Sequence, residues 1–142
     1  MTLVAQPYLS CGIMVSSETE QAKKMTIYRS EDTTYLPIDQ LILPLNARTH
    51  QSNVNAGTIE ISVQYDADYI DSNIHFYAAS LSGFQYSGKM PLHPTDSFTP
   101  RAKNAWSYDG RFIALHNIYG IRNDRLIIYD VLARVYHTPT DL

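Results

Sequence analysis

Residues 66–71 read Asp-Ala-Asp-Tyr-Ile-Asp, three carboxylates within six positions. Ionised acids that approach another surface repel it unless a cation, an arginine or a proton intervenes. The cluster therefore has two readings. One is a solvated turn. The other is a metal site at a sheet edge, placed where a second subunit could reach it, with Asp66 and Asp68 as the pair. Arg122 and Arg125, in the turn before the last strand pattern, are the cationic alternative to a metal.

Other chemistry is sparse. The chain has no Gly-x-Ser-x-Gly elbow, phosphate-binding glycine loop, His-Glu-x-x-His or EF-hand loop. The five histidines have no ligand-like spacing, and the single Cys11 excludes an internal disulfide and any multi-cysteine zinc site. A non-enzyme is expected. Eleven tyrosines and one tryptophan invite a contact role, since aromatic side chains are enriched at interface cores. Tyr28, Tyr65, Tyr129 and Tyr136 fall inside strand patterns and read as packing residues. Tyr86, Trp106 and Tyr108 lie in loop-like surroundings at 86–109 and read as interface residues.

The elements that must position these groups are strands. Over 57–65, Ile59, Ile61, Val63 and Tyr65 alternate with Thr58, Glu60, Ser62 and Gln64, the period of a sheet with one buried face. "YLPIDQLILPLN" is apolar but broken by Pro37 and Pro44, so it is an edge strand, a bulged strand or an extended crossing. "ETEQAKK" (18–24) is the first plausible helical turn. "ARTHQSNVNAG" is polar and turn-rich. Residues 73–84 suit a strand or a short helix, and 85–106, with three prolines, is the longest expected loop. "GRFIALHNIYG" is a glycine-framed strand. "RLIIYDVLARVYHT" is apolar on both alternating registers, as a strand covered on two sides requires. No internal repeat stands out. The pattern predicts one all-β domain over 1–142, an antiparallel β-sandwich or barrel with at most one or two short helices.

Composition fits that reading: 44% hydrophobic, 18% charged and a formal net charge of −3, which argues against a dedicated nucleic-acid binder. Residues 1–100 carry five Lys/Arg against ten Asp/Glu, whereas 101–142 carry six against four. An acidic front and a basic back favour head-to-tail contact, although so small a sample also permits chance asymmetry. No apolar run approaches the roughly 18 residues needed to span a bilayer, so no membrane role is expected. The N-terminus lacks the basic region of a signal peptide.

The order of signals in the second half resembles the shell domain of capsid proteins from small icosahedral plant RNA viruses, the tombusvirus and sobemovirus type. The matching residues are the Gly-led strand Gly57–Asp68 with its acidic turn, and Tyr129, Asp130 and Val131 followed by Thr138 and Pro139. The likeness spans residues 57–139. Movement proteins of the thirty-kilodalton viral superfamily are similar over the same region. The resemblance implies an eight-stranded jelly roll that self-assembles, or decorates a particle, through protein–protein contacts. It places the chain in a virion, with assembly in the host cytoplasm, and makes its partners copies of itself or other virion proteins. In those relatives, acids after the Gly-led strand help bind calcium between subunits. Asp66 is the matched acid, but the second lies three residues on, where this chain has Tyr69, flanked by Asp68 and Asp71. The basic RNA-neutralising arm of such proteins has no counterpart here, because the first lysine is Lys23; any nucleic-acid contact is then weak. A movement or accessory protein, or a carbohydrate- or peptide-binding β-sandwich module, is the alternative function.

Overall fold

Strand β6 (Thr58–Gln64) is buried on both faces. Ile59, Ile61 and Val63 are wholly shielded, as the alternation predicts, but Glu60, Ser62 and Gln64 are buried too. A strand hidden on both sides must lie in a sheet covered on both sides. The rest of the architecture shows how. The computed structural model describes residues 3–9, 11–55, 57–65, 74–91, 98–100, 106–117 and 126–137. Every regular element among them is a β-strand, and every strand pairing is antiparallel.

Among the described residues, twelve strands form three four-stranded sheets. The first holds β1 (Leu3–Leu9), β2 (Gly12–Glu18), β3 (Lys23–Glu31) and β4 (Thr34–Leu43). The middle sheet holds β5 (Arg48–Asn55), β6, β7 (Ile74–Ser80) and β8 (Gly83–Lys89). The last holds β9 (Phe98–Pro100), β10 (Phe112–Asn117), β11 (Leu126–Asp130) and β12 (Val135–His137). In each, a strand pairs with its neighbours in sequence, so the same four-stranded meander occurs three times.

Local chemistry fixes the turns. The expected helical turn at 18–24 is instead the β2–β3 connection. Thr19 Oγ1 accepts from the amides of Gln21 and Ala22, both at 3.2 Å, and offers the backbone a turn in place of a helix. Asp32 takes a left-handed φ of 50° between β3 and β4, which a short polar residue tolerates. Pro37 sits in edge strand β4 beside a register shift between Ile27 and Tyr28 of β3, and Pro44 follows the strand's end. This bears out the edge-strand and bulge readings together, because a ring without an N–H is accommodated there. The polar stretch 47–57, read as turn-rich, holds strand β5; its Ser52 is buried and its Arg48 bonds Gln64 of β6.

Two apolar clusters join the sheets. On one side of the middle sheet, Ile59, Ile61, Val63 and Ala79 meet Met14, Met25, Ile27 and Leu43 of the first sheet. On the other side, Ile74 and Phe76 meet Ile113, Leu115, Ile127 and Tyr129 of the last, with Trp106, Met90 and Val131. Hydrogen bonds pin the same contacts. The Phe84 amide of β8 donates to Asp39 Oδ2 of β4 at 2.8 Å. Gly110, at φ 74°, lies so close to β5 that a Cβ there would sit 2.3 Å from the Gln51 carbonyl oxygen. Only glycine fits that approach.

The all-β, antiparallel, face-packed expectation holds. The eight-stranded jelly roll differs from what is seen: the described strands number twelve and pair as meanders, without the crossing connections of a Greek key. Trp106 also stands elsewhere than expected. Its indole is 9% exposed, belongs to the cluster between the middle and last sheets, and stacks on His50 with ring centroids 4.0 Å apart. A large apolar ring in a proline-rich stretch reads as a surface contact by sequence, but here the ring packs in the cluster between the middle and last sheets. Ile61→Ala should lower the unfolding free energy by about 2–5 kcal/mol and Trp106→Ala by about 3–5 kcal/mol, measured by urea denaturation. A Trp106→Ala loss below 1 kcal/mol would return that ring to the surface.

Candidate functional site

Strand pairing gathers four aromatic side chains on one face of the middle sheet. Val63 pairs with His75, Ile61 with Tyr77, and Tyr77 with Tyr86. The face that buries Ile59 and Ile61 against the first sheet therefore continues into His75, Tyr77, Tyr86 and, one alternation beyond Val63, Tyr65. Tyr65 and Tyr77 still pack on the core cluster, whereas Tyr86 is 56% exposed. Together the four line an open cavity of about 460 Å³.

Their geometry is ordered by hydrogen bonds and edge contacts. The hydroxyls of Tyr65 and Tyr77 lie 3.2 Å apart, and Tyr86 Oη lies 2.7 Å from His75 Nδ1. Tyr65 meets His75 edge-on at 5.2 Å between centroids, and Tyr77 meets Tyr86 likewise at 5.3 Å. Burial, then the Tyr77 hydroxyl, pushes the Tyr65 phenol well above its usual range. Burial, then the nearby Lys89 charge, lowers the His75 imidazole, so it is neutral around pH 7. Flat rings with a rim of hydroxyls make an amphipathic contact surface.

A second polar feature lies between the middle and last sheets. Glu60 pairs there with Arg134, which holds a left-handed φ of 59° at the β11–β12 turn. The guanidinium lies 3.9 Å above the Phe76 ring. Burial raises the Glu60 pKa against the lowering effect of Arg134. The turn that presents Arg134 is built by Asp130. Its Oδ1 accepts from the amides of Leu132 and Ala133 at 3.1 and 3.0 Å, and Arg111 grips both carboxylate oxygens at 3.3 and 3.1 Å. Burial opposes ionisation of Asp130, but the Arg111 hydrogen bonds and the turn amides outweigh it and hold the pKa below the usual carboxylate value. In the same interior Trp106 Nε1 is buried without a hydrogen-bond partner, and the buried Tyr129 hydroxyl faces the Arg134 guanidinium.

The third feature is the outward side of each end sheet. On the first sheet it carries Ile13, Val15, Tyr28 and Ile42, the last 62% exposed. On the last sheet it carries Phe112, Ala114, Leu126, Ile128 and Val135, all at least partly exposed. None of these joins either core cluster. Arg111 leans over the Phe112 ring at 5.1 Å.

Of the residues expected at interfaces, Tyr86 is on the aromatic face. Tyr108 stands wholly exposed in the turn before β10, beside a groove of about 430 Å³ that also touches Asp109, Arg111 and Gln51. Trp106 is in the core. Asp66, Asp68, Arg122 and Arg125 lie outside the described residues, and so does the expected calcium site. Among the described residues no three acid, histidine or cysteine side chains gather as a metal site. Sequence reasoning passed over His75 and Tyr77, and assigned Tyr65 to packing; the alternation His75–Tyr77 opposite Tyr65 was the available signal. No protein-family model, curated protein or solved structure matches the chain.

Two outcomes follow from the buried charges. Arg134→Ala should cost about 3 kcal/mol, the lower end for a broken buried pair, because the arginine keeps a third of its side chain in solvent. Glu60→Gln added to it should recover part of that loss. His50 is lowered to about 4, by burial and then by the Arg48 charge. An unfolded histidine takes up its proton near pH 6.5, so the unfolded state binds more protons between about pH 6.5 and 4 and stability falls as pH drops through that window. The His50 share, discounted for screening, is on the order of 1–2 kcal/mol. Urea melts of wild type and His50→Phe at pH 7 and 5 measure it, and the two should respond alike only if His50 is freely solvated.

Proposed function

We propose that this chain is a non-enzymatic structural protein that builds larger assemblies through protein–protein contacts. One observation carries the reading: the outward side of each end sheet holds apolar side chains, Ile13, Val15, Tyr28 and Ile42 beside Ser17, Lys24, Thr26 and Gln40 on one, and Phe112, Leu126, Ile128 and Val135 beside Asp130 and His137 on the other. Apolar side chains gathered in the open on one face of a folded protein suit an interaction site. The virion setting belongs to the same proposal; it rests only on the motif resemblance over 57–139, whose jelly roll the described sheets do not form.

The aromatic face supports a second reading, a ligand-binding module. Tyr65, His75, Tyr77 and Tyr86 offer ring faces and hydroxyls side by side, which suits a sugar ring or an extended peptide.

Sedimentation velocity across the micromolar range separates the two. Assembly predicts a mass above the 16.1 kDa of one chain, rising with concentration and persisting at high salt because its contacts are apolar. Ile128→Glu should shift the protein to one chain, whereas Tyr86→Ala should leave the mass unchanged. A single chain at every concentration, together with saturable changes in tyrosine fluorescence on adding an oligosaccharide, would favour the module instead.

A further inference from the structure

The aromatic cavity stands on three adjacent strands. Tyr65 follows β6, His75 and Tyr77 lie on β7, and Tyr86 lies on β8, the outer edge of the middle sheet. Cross-strand pairing holds their backbones side by side, so the site is formed before any ligand arrives.

Tyr86 supplies a platform. Its ring is 56% exposed, yet it is held by His75 Nδ1 at 2.7 Å and by the edge contact with Tyr77 at 5.3 Å. A ring fixed beforehand loses little freedom when a ligand stacks on it. The other hydroxyls supply mixed hydrogen-bonding capacity. Tyr65 and Tyr77 share one hydrogen bond at 3.2 Å, which leaves the pair one O–H donor and spare lone pairs. Burial, then the Tyr77 hydroxyl, raises the Tyr65 phenol, so it stays protonated at neutral pH. Whichever of Tyr86 Oη and His75 Nδ1 donates to the other, the phenol oxygen keeps capacity for a further bond.

These groups select among ligands. A cation bound over the rings would meet the charge of Lys89, the cross-strand partner of His75, and no acid lines the cavity to offset it. An extended peptide would add to the outer edge of β8. There the Phe84 amide already donates to Asp39 Oδ2 at 2.8 Å, and β4 lies against β8. A proline-rich segment offers carbonyl acceptors but no N–H at its prolines, and so leaves the spare lone pairs unmet. Sugar hydroxyls donate and accept alike. A pyranose whose hydroxyls are all equatorial also presents axial C–H groups on each flat side, which suit a tyrosine ring, while its hydroxyls point outward in the ring plane. We infer that the cavity binds a neutral β-glucopyranoside, stacked on Tyr86 and hydrogen-bonded by the Tyr65 and Tyr77 hydroxyls. This rests on the module reading above and adds the ligand class and the role of each side chain.

Saturation-transfer NMR on the full chain tests it, with methyl β-glucopyranoside and cellobiose as probes. Saturation should be strongest on the axial hydrogens of one sugar face, as stacking requires. Tyr86→Ala should weaken binding about tenfold. Tyr65→Phe combined with Tyr77→Phe keeps both rings and should weaken it by a similar factor, about tenfold. Circular dichroism checks that each variant keeps its sheets; if Tyr86→Ala does not, Tyr86→Gln replaces it, and if the double variant does not, Tyr77→Phe alone replaces it.

A proline-rich decapeptide serves as the competing probe. If it binds and neither sugar does, the sugar inference is overturned and the module reading stands. If no probe binds, both fall. Sugar binding that none of the variants changes places the ligand elsewhere and overturns the assignment of this cavity.

Discussion

Burial of the middle sheet on both faces is the constraint on which the rest depends. A four-stranded antiparallel sheet usually hides one side and solvates the other. Here the first sheet covers Ile59, Ile61 and Val63, and the last covers the opposite side of the same strand. Glu60, Ser62 and Gln64 thereby lose water that their sequence positions suggest they would keep. Each must find a partner or leave a costly unmet group. Glu60 finds Arg134, and Gln64 finds Arg48.

Those partners explain local features that otherwise look arbitrary. Arg134 reaches Glu60 from a turn with a left-handed residue, and the turn is held by Asp130, itself clamped by Arg111. Arg48 lies beside Trp106, whose ring closes the same interior against His50. A chain of polar and aromatic contacts thus follows from the decision to bury one strand twice. It also fixes how the last sheet sits, because a one-residue slip of β6 would turn Glu60 towards Met14 and Ile27.

The functional surfaces are what the stacking leaves over. The aromatic group of Tyr65, His75, Tyr77 and Tyr86 continues a core face towards solvent, so its rings are partly anchored by packing and partly free for contact. The outer sides of the end sheets remain because a linear stack always has two ends.

Strand character and the edge position of β4 were legible in the sequence, because alternation and the proline ring act locally. The alternation at 57–65 named Ile59, Ile61 and Val63 correctly, and Pro37 marked both an edge and a bulge. The double register of 126–135 signalled two covered sides, and the structure divides it into β11, a turn and β12 with one side in the core. The strand nature of polar β5 was not legible, since its side chains answer to groups far along the chain. Neither were the burial of Glu60 and Trp106 nor the meeting of Tyr65 with His75 and Tyr77. Nor was the threefold repeat, which is a repeat of pairing and leaves no matching residues. Local propensity determined which segments extend; which sheet lies against which, and therefore which polar groups must be paired and which aromatic rings remain open, was decided only by packing between residues distant in sequence.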